Sequence, residues 1–328
     1  MSNYGLAKMR VVAQAQPNIA LIKYWGKRDH SLNLPAVSSL SITLQSLWTR
    51  MSIEFGDDAE VDTLRVNDRD APAMLARVSH CLDLVAGPGR RYADIISHSN
   101  FPIGAGLASS ASAFAALVVA ADEEAGGSRS CLELARLAGA ASGSAARSLY
   151  SGIVELTAGE DQIDVRTVCE SSDWPLEVVV AITAEGPKPI GSGDAMIRSE
   201  TTSPFFSSWL QRQDDDLEVA RDAVRKRDFA KLATVAEHNC LKMHSVMWSS
   251  RPPVVYWNSA TLSCMETIRL LQSDGHPVFF TIDAGPQIKA VCLPEAADAV
   301  SNALQQTVGV IDTMQSSLGA GARILEPK

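Results

Sequence analysis

The stretch Phe101-Pro-Ile-Gly-Ala-Gly-Leu-Ala-Ser-Ser-Ala-Ser-Ala-Phe114 passes within a few residues from small and flexible to helix-forming, and its flanking segments decide the fold class. Gly104 and Gly106 reach backbone angles that a Cβ would forbid and let N–H groups approach an anion. The Ala- and Ser-rich run behind them supplies a helix N-terminus, which carries about half a positive charge and unpaired N–H donors. Ser109, Ser110 and Ser112 add hydroxyls within reach of phosphate oxygens or a hydrated Mg²⁺. Two readings stand at this point, a phosphate cradle and an ordinary strand-to-helix junction. No Gly-Lys-Ser/Thr follows, so the loop is not a Walker A, and the glycine spacing is not that of a dinucleotide fold.

Upstream, the segments 10–16, 33–44 and 49–55 read as strands, 71–85 as a helix ending at Gly87, and 91–98 as a strand. Strands therefore cluster instead of alternating regularly with helices, which predicts an α+β fold with a mixed or antiparallel sheet and not a doubly wound one. The alternation after Pro35 predicts a half-buried strand. Downstream come helices over about 109–124 and 131–141, then strands at 152–157 and 178–183. A Gly- and Pro-rich stretch, Glu185 to Asp194, reads as a surface connection. Helical patterns fill 205–226, 228–246 and 254–273, a strand follows at 278–282, and further elements lie at 289–293 and 297–306. A helix-richer second part is thus expected, with residues 1–184 as the N-terminal domain and 185–328 as the C-terminal one.

The 328 residues are 46 % hydrophobic and 20 % charged, enough to build a substantial core. A net charge of −9 argues against nucleic acid as a partner while leaving room for a local basic pocket. Cys81, Cys131, Cys169, Cys240, Cys264 and Cys292 are widely spaced, without CxxC or zinc-finger spacing, and read as reduced thiols. Met1 to Arg10 lacks a signal-peptide core, and no apolar run reaches the ~20 residues that span a bilayer, so no membrane partner and a cytoplasmic location are expected.

Five further segments carry polar or charged residues. Asn18-Ile-Ala-Leu-Ile-Lys-Tyr-Trp-Gly-Lys27 sets Lys23 and Lys27 four residues apart, either as snorkelling side chains on a half-buried segment or as a cationic corner for phosphate or carboxylate. Ser142-Gly-Ser-Ala-Ala-Arg147 joins two hydroxyls, a glycine and a bidentate donor, and reads equally as a helix cap or an anion site. Asp283, at the end of the apolar strand 278–282 and before Ala-Gly-Pro286, is either a turn cap or a catalytic acid. Asp214 to Asp216 read as a solvated face, and Glu237, His238 and His244 as core or structural groups.

Taken in order, Asn18 to Lys27, Asn33-Leu-Pro35 with Ser38-Ser-Leu-Ser41, Asn100-Phe-Pro102 with Gly106 to Ala111, Ser142-Gly-Ser144 with Arg147 to Tyr150, Glu237 to His244 and Asp283-Ala-Gly-Pro286 resemble the mevalonate diphosphate decarboxylase family. That family lies within the galactokinase, homoserine kinase, mevalonate kinase and phosphomevalonate kinase superfamily. The resemblance spans most of the chain and implies a two-part superfamily kinase fold with the active site between the parts. It also implies ATP with Mg²⁺, conversion of mevalonate 5-diphosphate to isopentenyl diphosphate, and a homodimer. Asp283, Lys23 and Arg147 would then be catalytic. Asn18, Tyr24, Lys27, Ser142, Gly143, Ser144, Lys188 and Ser192 would hold the substrate. Gly104, Gly106, Leu107, Ala108, Ser109, Ser110 and Ser112 would hold the nucleotide, with no dedicated metal cage and Ser110 placed to reach Mg²⁺. Some bacterial members follow the serine at 192 with arginine, whereas Gly193 and Asp194 stand here, and an acid would repel a diphosphate unless turned away. Alternatives that stay open are a phosphomevalonate decarboxylase, a mevalonate 3-kinase and a catalytically silent binding protein.

Overall fold

A computed structural model describes residues 10–56, 60–102 and 106–326. The chain opens with β1 (Val11–Ala15), β2 (Asn18–Ile22), β3 (Lys27–Asp29), β4 (Leu34–Pro35), β5 (Ser39–Thr43) and β6 (Thr49–Gly56). Next come β7 (Thr63–Val66), β8 (Arg69–Asp70), α1 (Pro72–Ala86) and β9 (Tyr92–Ser99). Pro72 at the head of α1 and Gly87 just past its end, at φ 87°, give that helix its expected bounds. With β16 (Arg323–Ile324) from the end of the chain, these strands form one sheet in the order β16, β1, β6, β9, β7, β8, antiparallel except where β7 runs parallel to β9 through the α1 crossover.

Beyond the Gly-rich stretch lie α2 (Ser109–Glu124), which covers the first sheet, and α3 (Cys131–Ala141), which packs against α1 and α2. Small residues line α2, so Ala115, Ala116, Ala120 and Ala121 pack with no exposure in one core cluster with Ala13, Ile53 and Ile95. A 3-10 turn at Ala145–Leu149 leads into β10 (Ile153–Ala158) and β11 (Ile163–Cys169), which complete a second sheet in the order β11, β10, β5, β2.

The third sheet joins β12 (Glu177–Ile182) to strands from the far end of the chain. Between them lie α4 (Ser192–Thr202), α5 (Phe206–Lys226), α6 (Phe229–Trp248) and α7 (Ser259–Ser273), then β13 (Val278–Ile282), β14 (Ile288–Cys292), α8 (Ala297–Gln305), β15 (Asp312–Ser317) and β16 (Arg323–Ile324). Its order is β13, β14, β12, β15. Two strands depart from a division at residue 184. β12 precedes it yet pairs with β14 and β15, while β16 follows it yet pairs with β1. One core cluster also crosses the division, joining Ile19, Leu40 and Ile153 to Val178, Leu217 and Phe279.

Three local expectations change. Every residue of β5 is buried: on the polar side of its alternation Ser39 Oγ accepts from Arg147, and Ser41 is packed inside with no hydroxyl partner among the described residues. The Gly- and Pro-rich stretch is not wholly a connection, since Ser192 begins α4. Asp216 also turns inward, to Lys242 at 2.7 Å and Asn239 at 2.7 Å.

Candidate active site

A cleft of about 630 Å³ opens where the second sheet, the α2 N-terminus and the β13–β14 turn converge. Its floor is an ion pair between Lys23 and Asp283, Nζ to Oδ1 at 2.6 Å. Lys23 follows β2, whose pairing with β5 shifts register between Ala20 and Ile22, and its ammonium folds back onto the Ala20 carbonyl at 2.8 Å. The Lys23 main chain is gripped on both sides. Its N–H donates to Asn239 Oδ1 at 2.7 Å, its carbonyl accepts from Gln213 Nε2 at 2.7 Å, and Asn239 Nδ2 donates to Gln213 Oε1 at 2.9 Å.

Asp283 is delivered by β13, and the turn behind it is closed by Gly285 N–H donating to the Asp283 carbonyl at 2.7 Å. Burial pushes this carboxyl up, but Lys23 and Lys289 outweigh burial and hold it at about 2. Asp283 is therefore an anion throughout the neutral range. His244, behind the turn at 3.2 Å from the Ile282 carbonyl, is driven down to about 3 by burial and adds no charge there.

The Gly-rich side closes onto the same turn. Gly106 sits at φ +82° so near Gly285 that a Cβ on it would lie 2.9 Å from the Gly285 Cα. Ala108 caps α2 in the left-handed region at φ 53°, which turns Ser109 and Ser110 into the cleft. Gly104 lies outside the described residues. Two expected ligands turn away. Leu107 is buried in the apolar core, and Ser112, with no exposure, has its hydroxyl 2.8 Å from Thr49 Oγ1 and bonded to the Ser109 carbonyl. Ser112 stands one turn into the helix on its sheet-facing side, a face that the sequence run of small residues does not distinguish.

Across the cleft, Arg147 donates from Nη1 to Ser39 Oγ at 2.7 Å and from Nε to Asn18 Oδ1 at 3.2 Å. Asn18 is held in turn by Ser148 Oγ at 2.8 Å and the Ser144 carbonyl at 2.9 Å. Burial lowers Arg147 to about 10, so it remains a cation at neutral pH. Tyr24 lies against Gly143, where a Cβ would come within 2.6 Å of its Cζ, and burial raises its hydroxyl to about 12. That hydroxyl has no hydrogen-bond partner among the described residues.

Lys188 donates to Ser192 Oγ at 2.6 Å and to the Ala284 carbonyl at 2.8 Å, and burial with the neighbouring Lys289 lowers it to about 8. Lys27 completes the cationic wall, lowered by burial and by Arg77. Thus Lys23, Asp283, Arg147, Asn18, Tyr24, Lys27, Ser142, Gly143, Ser144, Lys188, Ser192, Gly106, Ala108, Ser109 and Ser110 all line one cleft.

Two residues of the site have no signal in the sequence. Arg77 reads as an unremarked polar position of the α1 pattern, but it donates to the Ala141 carbonyl at 2.8 Å, stacks over Phe114 and reaches the cleft. Lys289 reads as one residue of a short strand, yet has no exposure and lies 3.4 Å from Asp283 Oδ2. Asp194, by contrast, is exposed in the first turn of α4 and does not line the cleft.

Residues 15–167 match the family model of the diphosphomevalonate decarboxylase-like N-terminal domain, and residues 178–324 that of the mevalonate 5-diphosphate decarboxylase C-terminal domain. The diphosphomevalonate decarboxylase of Saccharomyces cerevisiae is 35 % identical over 306 residues, covering 86 % of this chain and 77 % of that protein. The Homo sapiens enzyme of the same name is 32 % identical over 307 residues, 84 % of this chain and 75 % of that one. Among solved structures, mevalonate diphosphate decarboxylase from Staphylococcus aureus superposes with a TM-score of 0.90 at 33 % identity, over 97 % of this chain and 98 % of that one. A complex of MDDEF with MVAPP, AMPPCP and magnesium gives a TM-score of 0.90 at 31 % identity, over 97 % and 99 %.

Proposed function

Because the chain belongs to the mevalonate 5-diphosphate decarboxylase family, we infer that it uses ATP to convert mevalonate 5-diphosphate to isopentenyl diphosphate, releasing CO₂, ADP and phosphate. The observation that carries this reading is the charge balance of one cleft in a protein of net charge −9. Lys23, Lys27, Arg77, Arg147 and Lys188 line it, and among the described residues Asp283 is the one carboxylate that does. Such a cavity suits a polyanion, and the lone acid suits a hydroxyl within that polyanion.

The chemistry needs both. The tertiary 3-hydroxyl is a poor leaving group, so its oxygen first takes the γ-phosphoryl group of ATP and gives up its proton. The C3–O bond then breaks with its electron pair on phosphate, the carboxylate's C–C bond supplies the electrons of the new C=C bond, and CO₂ departs. We assign Asp283 to accept the hydrogen bond of the 3-hydroxyl and its proton as the O–P bond forms. A carboxyl held at about 2 is a weak base in the ground state, so its larger contribution is orientation. Lys23 offsets negative charge around the transferring phosphoryl group, and Lys188, bonded to Ser192, meets the charge of the acceptor substrate. Arg147, Asn18, Ser142 and Ser144 hold the carboxylate end, and Tyr24, Lys27, Arg77 and Ser192 the phosphate end.

The nucleotide belongs to the N-terminal part, with its phosphates on Gly106, Ala108 and the first turn of α2. We propose that Mg²⁺ is carried on the phosphates, with the Ser110 hydroxyl at the head of α2 as its protein contact. When bound, the ion neutralises phosphate charge. We place the division between the two parts in residues 170–176, and propose a cytoplasmic homodimer. No described helix is long and apolar enough to cross a membrane.

Asp194 is exposed and outside the cleft lining, and its charge is met by Lys27 of the cationic wall, which lessens the repulsion that a diphosphate would meet there. The test is to supply purified protein and Mg-ATP with mevalonate 5-diphosphate or 5-phosphate and follow ADP and CO₂ together. Equal yields of both products from the diphosphate are expected. A preference for the monophosphate would transfer the assignment to that substrate.

A further inference from the structure

Lys289 is the second residue of β14, a strand whose other members are apolar, and its neighbours across the sheet are Val180 and Thr281. An aliphatic side chain would fill such a position, whereas an ammonium with no exposure must be matched by partners. Lys289 has two, from different sides of the cleft. Its Nζ donates to the Gly106 carbonyl at 2.9 Å and stands 3.4 Å from Asp283 Oδ2.

We propose that Lys289 is a positioning residue that fastens the carboxylate of Asp283 to the end of the phosphate loop at Gly106. The proposal rests on the functional reading above for its consequence, and on this geometry for its substance. Gly106 is packed so closely on Gly285 that a Cβ on it would lie 2.9 Å from the Gly285 Cα, so the end of the loop and the turn are in direct backbone contact. Lys289 adds a polar tie across that contact. With Lys23 on Oδ1 at 2.6 Å and Lys289 beside Oδ2, the plane of the carboxylate is set from both sides. Lys188 pins the next carbonyl, that of Ala284. The charged and titratable groups facing Asp283 are thus Lys23, Lys188, Lys289 and Arg147, with His244 and Cys240 behind it.

Lys289 does not line the cleft, so its removal is expected to misplace the acceptor group without removing a substrate contact. Lys289→Met should lower kcat by about 10- to 100-fold, in line with small misplacements of a reacting group, while both KM values change by less than about 3-fold. Withdrawing a cation from an anion also makes the anion easier to protonate. In protein labelled with ¹³C at aspartate Cγ, the Asp283 signal, identified by its loss in Asp283→Asn, should begin to titrate at a higher pH in Lys289→Met than in the wild type.

If Lys289→Met does not fold, Lys289→Gln, which keeps a donor for Gly106 without the charge, takes its place with the same expectations. Wild-type kcat in the folded variant, or an Asp283 titration that does not move, overturns the proposal. So does failure of both variants to fold, which would make Lys289 a core residue only. The titration needs no turnover, so it tests the Lys289–Asp283 link even if the wild-type protein forms no CO₂, an outcome that would instead overturn the functional reading.

Discussion

Lys23 and Asp283, 260 positions apart in the chain, meet at 2.6 Å, and the lysine of that pair is fixed by its backbone as much as by its charge. Asn239 and Gln213, both without exposure, take the Lys23 N–H and carbonyl and bond to each other. Asn239→Ala would strand a buried N–H and leave Gln213 Oε1 without its donor. A buried polar group stripped of its partner costs about 1–3 kcal/mol. The variant should unfold at lower urea concentration by an amount in that range, and its kcat should fall as Lys23 loosens. An unchanged midpoint with unchanged kcat would remove Asn239 from this role.

Gly143 tests the fit of the acceptor side. A methyl group there would lie within 2.6 Å of Tyr24 Cζ, so Gly143→Ala must push the ring aside. The expected result is a rise of about 10-fold in KM for mevalonate 5-diphosphate, with KM for ATP nearly constant, because displacement of a positioning group by less than an ångström is enough. Equal changes in both constants would mean that the glycine serves the fold and not the substrate pocket.

Lys188 gives the site a pH dependence. Its ordinary value of 10.5 is lowered to about 8 by burial and Lys289, against the opposing pull of Asp283. Below pH 8 it is a cation facing a polyanionic ligand, and above it the charge is lost. Calorimetric Kd for mevalonate 5-diphosphate, measured without nucleotide, should therefore increase as pH rises through about 8. Lys188→Arg should flatten that limb, since guanidinium keeps its proton. A limb unaltered by the substitution would belong to another group.

Outside the cleft, Asp62 and Arg90 form a paired contact at 2.8 and 2.6 Å, between the Ser79 carbonyl of α1 and the Ala93 N–H of β9. Burial opposes the Asp62 charge, but Arg90, Ser79 and the Ala93 N–H more than offset it and lower the carboxyl from 3.8 to about 2. A depressed acid stabilises the fold above its unfolded value and loses that stabilisation as pH falls through the folded one. Stability should thus drop between pH 3.8 and about 2, and Asp62→Asn should be less stable at neutral pH and show a shallower drop in that window. The same slope in both proteins would contradict the assignment.

The sequence is legible where a local pattern and a chemical demand coincide. The crowding of strands before Gly106 announces the mixed sheet, and the order of the short polar segments announces the cleft. Singly, those segments are ambiguous, because a lysine pair, a serine-rich cap and an acid in a turn have ordinary structural readings. What resolves them is convergence in space of Lys23, Arg147 and Asp283, which pairing of β2 with β5 and of β13 with β14 brings about. Three features resist reading for physical reasons. The polar side of β5 looks solvent-facing because period-two alternation does not distinguish water from the protein interior. Arg77 and Lys289 occupy regular helix and strand positions, where only tertiary neighbours turn a charge inward. β12 and β16 cross the expected division because sheet pairing over long sequence separations leaves no local mark.

The central claim is that Asp283 engages the 3-hydroxyl at the step on which both products depend. Asp283→Asn keeps the size of the side chain but removes the charge that meets Lys23 at 2.6 Å and the means to accept a proton. With Mg-ATP and mevalonate 5-diphosphate, this variant should release neither ADP nor CO₂ above about one part in 10³ of the wild-type rate, while still binding an ATP analogue. Near-normal formation of both products by Asp283→Asn would contradict the account.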